Sequence, residues 1–114
     1  MRWLYHALTR DEWEGAWGHA VLTPASLGRE GFVHASYRDV VVESARLYLP
    51  KESALVVLQL DPRLLGVAID VAETPRGPMP HIRGAITVDA IALVWELAEL
   101  EAAIASGLAP DVIT

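Results

Sequence analysis

The sequence predicts an α+β domain in which a sheet packs against a few helices. Three observations carry that prediction. Apolar runs of strand length outnumber helical stretches, and the clearest, Ala54 to Leu60, is almost wholly aliphatic. The two firmest helix starts come early, at Thr9 and Ser36, each with an acidic residue three positions on. The chain has 114 residues, 53% of them hydrophobic, which suits one domain with one core.

In order, Trp3 to Leu8 reads as a first strand, aromatic and aliphatic around His6. Thr9-Arg10-Asp11-Glu12 has capping-box spacing, so a helix follows from about Asp11 to Trp17, with Trp13 and Trp17 on one face and Gly18 as its stop. Val21 to Gly31 holds Pro24, Gly28 and Gly31 and reads as a surface connection. Phe32 to Ala35 is a short strand. Ser36-Tyr37-Arg38-Asp39 repeats the capping logic for a helix from about Tyr37 to Leu49, closed by Pro50.

Ala54 to Leu60 is the central strand. Asp61-Pro62 ends it and starts a short helical turn through Leu65. Val67 to Glu73 alternates as another strand. Thr74 to Gly84, with three prolines and two glycines, reads as a long loop of the kind that carries function. Ala85 to Val88 and Ile91 to Trp95 supply two more strands or one interrupted strand. Glu96 to Ser106 is a last helix ended by Gly107, and residues 110–114 are expected to form a tail.

Composition narrows the function classes. A net charge of −6 disfavours a long nucleic acid or an anionic membrane as partner, since both demand an excess of lysine and arginine. A small anionic ligand held by a few local groups remains compatible with it. The absence of cysteine removes disulfides, thiolate metal sites and cysteine nucleophiles. The first residues carry no signal-peptide pattern, and no apolar run reaches the roughly 18 residues of a membrane helix, so a cytoplasmic protein is expected.

Three histidines fit the core poorly. His34 stands in the apolar run of Glu30-Gly31-Phe32-Val33-His34-Ala35-Ser36. It is either a half-buried histidine bonded to backbone, or a strand-end group that holds a ligand hydroxyl or anion beside a helix start. Ser36 is either the cap of that helix or a second ligand group. His6 follows Tyr5 and has the same two readings, its tautomer set by whatever partner it meets. His81 follows Pro80 in the proline-rich stretch, with Arg83 next to it as a fixed charge for phosphate. The three histidines come from separate segments without an HxH or HxxxH pair, and no metal site is expected. His19, at a helix end, reads as a simple dipole partner.

The order of these blocks is similar to that of a bacterial family, the domain of unknown function 952. The likeness rests on Tyr5-His6, Ser26-Leu27, Glu30 to Ser36, Leu58 to Asp61, Pro80-His81-Ile82-Arg83-Gly84 and Asp89-Ala90, and runs from about Trp3 to Val94. This chain has Met79 where the family usually has an aromatic, and Arg83 where it usually has tyrosine. The glutamine common after the serine is replaced by Asp39 or Val40.

The resemblance implies a fold like that of the ADP-ribosyltransferases and RNA 2′-phosphotransferases: a split, curved sheet with a cleft for NAD or an ADP-ribose-like group. It implies a transferase with His6, His34 and His81 as catalytic residues and with His6 and His34 at the ligand; Ser36 and Arg83 join them as ligand-binding candidates on the residue reading above. NAD would be the substrate and no metal would be needed. His6 would bind the nicotinamide ribose and His34 would position the same sugar. The third position falls to Glu73 or His81. The alternative is a non-catalytic module that binds a nucleotide-like small molecule through the same histidines. The sequence leaves the oligomeric state open.

Overall fold

The computed structural model describes residues 1–114 and has the α+β character expected, with mixed helices and antiparallel sheets. Strand β1 (Leu4–Thr9) leads into helix α1 (Arg10–Gly15), then β2 (Val21–Leu22), α2 (Ala25–Glu30), β3 (Val33–His34) and α3 (Val41–Tyr48). Strand β4 (Leu55–Leu60) and a 3₁₀ turn (Pro62–Leu64) follow, then β5 (Ile69–Thr74), β6 (Gly77–Ile82) and β7 (Ile86–Thr87). A second 3₁₀ turn (Val88–Ala90), β8 (Ile91–Glu96) and α4 (Leu97–Ala105) complete the chain.

Two three-stranded antiparallel sheets organise the molecule, ordered β1-β4-β8 and β3-β6-β5, beside a small β2-β7 pair. Leu55–Leu60 forms the central strand of the first sheet, as its apolar run demands. Strand alternation divides the core in two. Leu4, Leu8, Val56, Leu58 and Leu60 face the second sheet and pack with Val33, Ile82 and Ile86. Tyr5 and Val57 point the other way and pack with Val41 of α3 and with Leu100 and Ala103 of α4. The buried polar Gln59 is satisfied by the Trp95 indole N–H at 3.0 Å. The two sheets touch through one backbone pair: Tyr5 N–H donates to Ser36 O and Ser36 N–H to Tyr5 O, each at 2.8 Å. No helix is long and apolar enough to cross a membrane.

The capping box before α1 forms as its spacing predicts: Thr9 Oγ1 accepts from Glu12 N–H at 3.1 Å, and Glu12 Oε1 reaches back to the Thr9 N–H. A second box, Glu96 with Glu99, opens α4. Ser36 caps nothing. Its backbone is committed to Tyr5, residues 38–40 form a turn, and α3 starts at Val41 instead of Tyr37. Contacts with both ends of the chain hold that turn: Asp39 pairs with Arg2, and Arg38 donates to Ala109 O.

Three other expectations are corrected. The connection Val21 to Gly31 contains α2, begun after Pro24 and ended by Gly31 at φ 80°, the left-handed conformation that favours glycine at a helix end. Residues 110–114 are not a free tail: Trp3 N–H donates to Asp111 O, Ile113 N–H to Met1 O, and Tyr5 Oη to Pro110 O. The stretch Thr74 to Gly84 is no loop but the turn and second strand of a hairpin, β5–β6. Arg83 N–H donates to Ala68 O, so by antiparallel alternation His81, Met79 and Gly77 exchange bonds with β5, whereas Pro80 and Pro78 occupy the non-bonded positions. Their missing N–H groups face away from β5: Pro80 still accepts from Ala35 N–H at 3.1 Å just past the end of β3, where only the reciprocal bond is absent, and Pro78 lies beyond that pair.

A candidate ligand cleft lined by three histidines

The same alternation sets the site. In β3 and β6, Val33 pairs with Ile82, both wholly buried, and His34 pairs with His81. With the apolar pair turned into the core, the two histidines share the opposite face. His6 comes from β1 of the other sheet. All three line one cleft of about 900 Å³, within the range of small-molecule sites. Ser36 lines it as well.

Each histidine is held differently. His6 is buried, and its Nδ1 lies 2.6 Å from the backbone oxygen of His34. A carbonyl only accepts, so Nδ1 carries the proton and Nε2 keeps its lone pair. Burial pushes the His6 pKa down, against the opposing pull of that hydrogen bond. His34 is exposed toward the cleft, with Nε2 2.6 Å from Glu30 Oε2. His81 stacks on Phe32 with centroids 3.8 Å apart and 14° between planes, and the His34 ring meets it edge-on at 5.7 Å. Burial, then the nearby charges of His34 and Arg83, lower the His81 pKa. His6 and His81 are therefore neutral at pH 7, able to donate and accept hydrogen bonds without adding charge.

Other groups expected at the site lie elsewhere. Arg83 does not line the cleft. Its Nε donates to Asp70 Oδ2 at 2.6 Å and its guanidinium lies 5.2 Å from the Phe32 centroid. Glu73 is exposed on β5 and also outside, so of the two residues weighed for the third position only His81 reaches the cleft. No group of three or more His, Cys, Asp or Glu side chains is arranged to hold a metal ion.

The cleft also holds groups that no sequence pattern singles out. Glu30 and Arg29 stand at the end of α2, the helix hidden within an apparent connection. Arg76 sits at the tip of the β5–β6 hairpin, and Ser44 and Tyr48 lie one turn apart on α3. Phe32 reads as core from its neighbours, yet serves as the platform under His81. One signal for Glu30 was available: Gly31 between it and Phe32 marks a turn sharp enough to fold the glutamate back on His34.

The fold and its cleft define an α+β domain with a ligand-sized site at the junction of two antiparallel sheets. The chain belongs to the family described as "Protein of unknown function (DUF952)", whose model matches residues 7–94. None of the curated proteins matches it. Among solved structures it is similar to the crystal structure of protein CC0527 from Caulobacter crescentus, with a TM-score of 0.73 at 23% identity, covering 82% of this chain and 84% of that one. The solution NMR structure of CC0527 gives a TM-score of 0.66 at 23% identity, covering 82% and 83%. At such identity the likeness is one of fold.

Proposed function

We propose that the chain is an ADP-ribosyltransferase-like enzyme acting on NAD or a related ADP-ribose or nucleotide phosphate compound. The observation that carries this reading is the meeting of His6, His34 and His81, from three strands of two sheets, in one cleft. Two separate sheets joined at the Tyr5–Ser36 bridge support the split-sheet resemblance as well.

The chemistry would run as follows. The bond between ribose C1′ and the nicotinamide nitrogen breaks, and its electron pair leaves with nicotinamide. Positive charge then builds on the sugar. Glu30, held beside His34, supplies negative charge near it, and the His34 ring together with neutral His6 orients the ribose hydroxyls. The acceptor's lone pair closes on C1′, and neutral His81 takes the acceptor's proton.

A second reading, a non-catalytic module binding the same ligand, has one observation in its favour. Both carboxylates lining the cleft are engaged, Glu30 with His34 and Glu12 in its capping box. Thermal shift with NAD, ADP-ribose, ATP and nicotinamide tests both readings. A ligand at a hundred times its Kd adds about 2.7 kcal/mol, several degrees for a domain of this size. No shift with any of the four sinks both. If NAD shifts the melt, nicotinamide release that His34→Ala abolishes supports the enzyme, and binding without turnover supports the module.

A further inference from the structure

The chain is acidic, yet its unpaired arginines are concentrated in the cleft, while the single lysine, Lys51, lies outside it. Arg2, Arg10, Arg46, Arg63 and Arg83 are all in ion pairs, and Arg38 donates to the Ala109 carbonyl. The two arginines left without a carboxylate or carbonyl partner, Arg29 and Arg76, both line the site. Arg76 is held by geometry. The hairpin turn fixes its backbone, with Arg76 N–H donating to Thr74 Oγ1 at 3.2 Å and Thr74 Oγ1 donating to Gly77 O at 2.7 Å. Its guanidinium lies over the ring of Tyr48 at 4.9 Å. Its Nε is buried without a hydrogen-bond partner, and so is the Oγ of Ser44. Ser44 sits one turn before Tyr48 on α3, on the side that faces the cleft. A buried donor left unpaired costs free energy, and two of them at one corner, beside a guanidinium fork already oriented by an aromatic ring, make a receptor for an oxyanion.

We propose that this corner, Arg76 and Ser44 with Tyr48 behind them, binds a phosphate group of the ligand. The identity of that ligand rests on the nucleotide reading given above; the oxyanion site itself does not. Arg76 donates in bidentate fashion to two phosphate oxygens, Ser44 Oγ donates to one, and Tyr48 holds the guanidinium in place. The phosphate-binding role expected of Arg83 thereby passes to the hairpin tip, because Asp70 already neutralises Arg83.

Titration calorimetry on the full chain tests this with ADP-ribose, inorganic pyrophosphate and adenosine as probes, at two salt concentrations. Arg76→Gln is expected to weaken ADP-ribose and pyrophosphate tenfold or more and to flatten the salt dependence, with adenosine unchanged. Arg76→Lys, which keeps the charge but loses the fork, falls between, and Ser44→Ala loses a few-fold. Thermal melts of each variant confirm folding. If Arg76→Gln binds ADP-ribose as the wild type does, or loses adenosine equally, the phosphate site is overturned while the nucleotide reading survives. If pyrophosphate binds through Arg76 but neither ADP-ribose nor NAD binds, the site stands and the nucleotide reading falls. Wild type that binds none of these probes overturns both.

Discussion

The imidazole of His6 donates through Nδ1 to the backbone oxygen of His34 at 2.6 Å, so one cleft histidine is fixed by the main chain of another. This separates the two in mutation. His6→Ala leaves a carbonyl unpaired at a buried position and should cost roughly 1–3 kcal/mol in urea unfolding. His34→Ala keeps the carbonyl and removes an exposed ring, so its stability should change by no more than about 0.5 kcal/mol while ligand binding falls. Equal destabilisation by the two substitutions would contradict this division.

Acidification tests the two imidazoles whose pKa values are lowered. The folded-state pKa values of His6 and His81 lie below the ordinary 6.5. Below that value the unfolded chain binds more protons than the folded one, so stability present above it is lost as pH falls toward the folded pKa values. The denaturation midpoint should therefore be lower at pH 5.5 than at pH 7.5, with a shallower dependence in His6→Gln. Asp61 and Glu101, held low by Arg63 and Arg46, add a separate loss only near the carboxylate range.

Phe32 supports His81 by stacking. Phe32→Leu should cost about 0.5–1.5 kcal/mol of aromatic contact beyond the apolar area lost. In proton NMR the ring signals of His81, shifted by the Phe32 ring current, should return toward random-coil positions. Unmoved His81 signals would show that the stack does not persist in solution.

At Gly84 a Cβ would lie 2.6 Å from Cγ1 of Val67 and 3.2 Å from its Cβ. Valine is stiff at χ1 and cannot swing aside. Gly84→Ala should destabilise by roughly 1–3 kcal/mol, and adding Val67→Ala should recover part of that loss. Additive losses in the double variant would refute the clash.

Tyr5 is wholly buried, and its phenol donates to Pro110 O at 2.5 Å. Tyr5→Phe should cost about 0.5–1.5 kcal/mol. Burial pushes the Tyr5 pKa up to about 12, so the unfolded phenol ionises first. Stability should then fall as pH rises from 10 toward 12, by less in Tyr5→Phe.

Local chemistry was legible wherever it acts within a few residues. Thr9 and Glu12 give their capping box from spacing alone, and Ala54 to Leu60 gives a central strand from its apolar run. What failed depended on distant partners. Ser36 has the chemistry of a cap, but the bridge to Tyr5, 31 positions away in sequence, takes its backbone and delays the helix. Prolines 78 and 80 signal a loop until the register puts them where β5 needs no donor from them. Arg83 looked like a free cation because nothing in its neighbourhood discloses the pairing with Asp70. His6 and His34 stood out because each interrupts an apolar pattern, and His81 because it follows Pro80 in a proline-rich stretch; Arg76 did not, since an arginine in a turn is unremarkable until Tyr48 is seen beneath it.

The Tyr5–Ser36 bridge has a mechanical meaning. Within each sheet many ladder bonds resist shear, but only two main-chain bonds, backed by the His6 side chain, cross between them. The hydrogen-bonded part of the junction is thus narrow, the rest of it being the core that Leu4, Leu8 and Leu58 share with Val33 and Ile82, and the cleft lies beside it. A change in the angle between the sheets would have to repack that core, and it would alter the spacing of His6 from His81. Substitutions in the packing beneath that joint would therefore act as a tuning screw on cleft width, with each wall left intact.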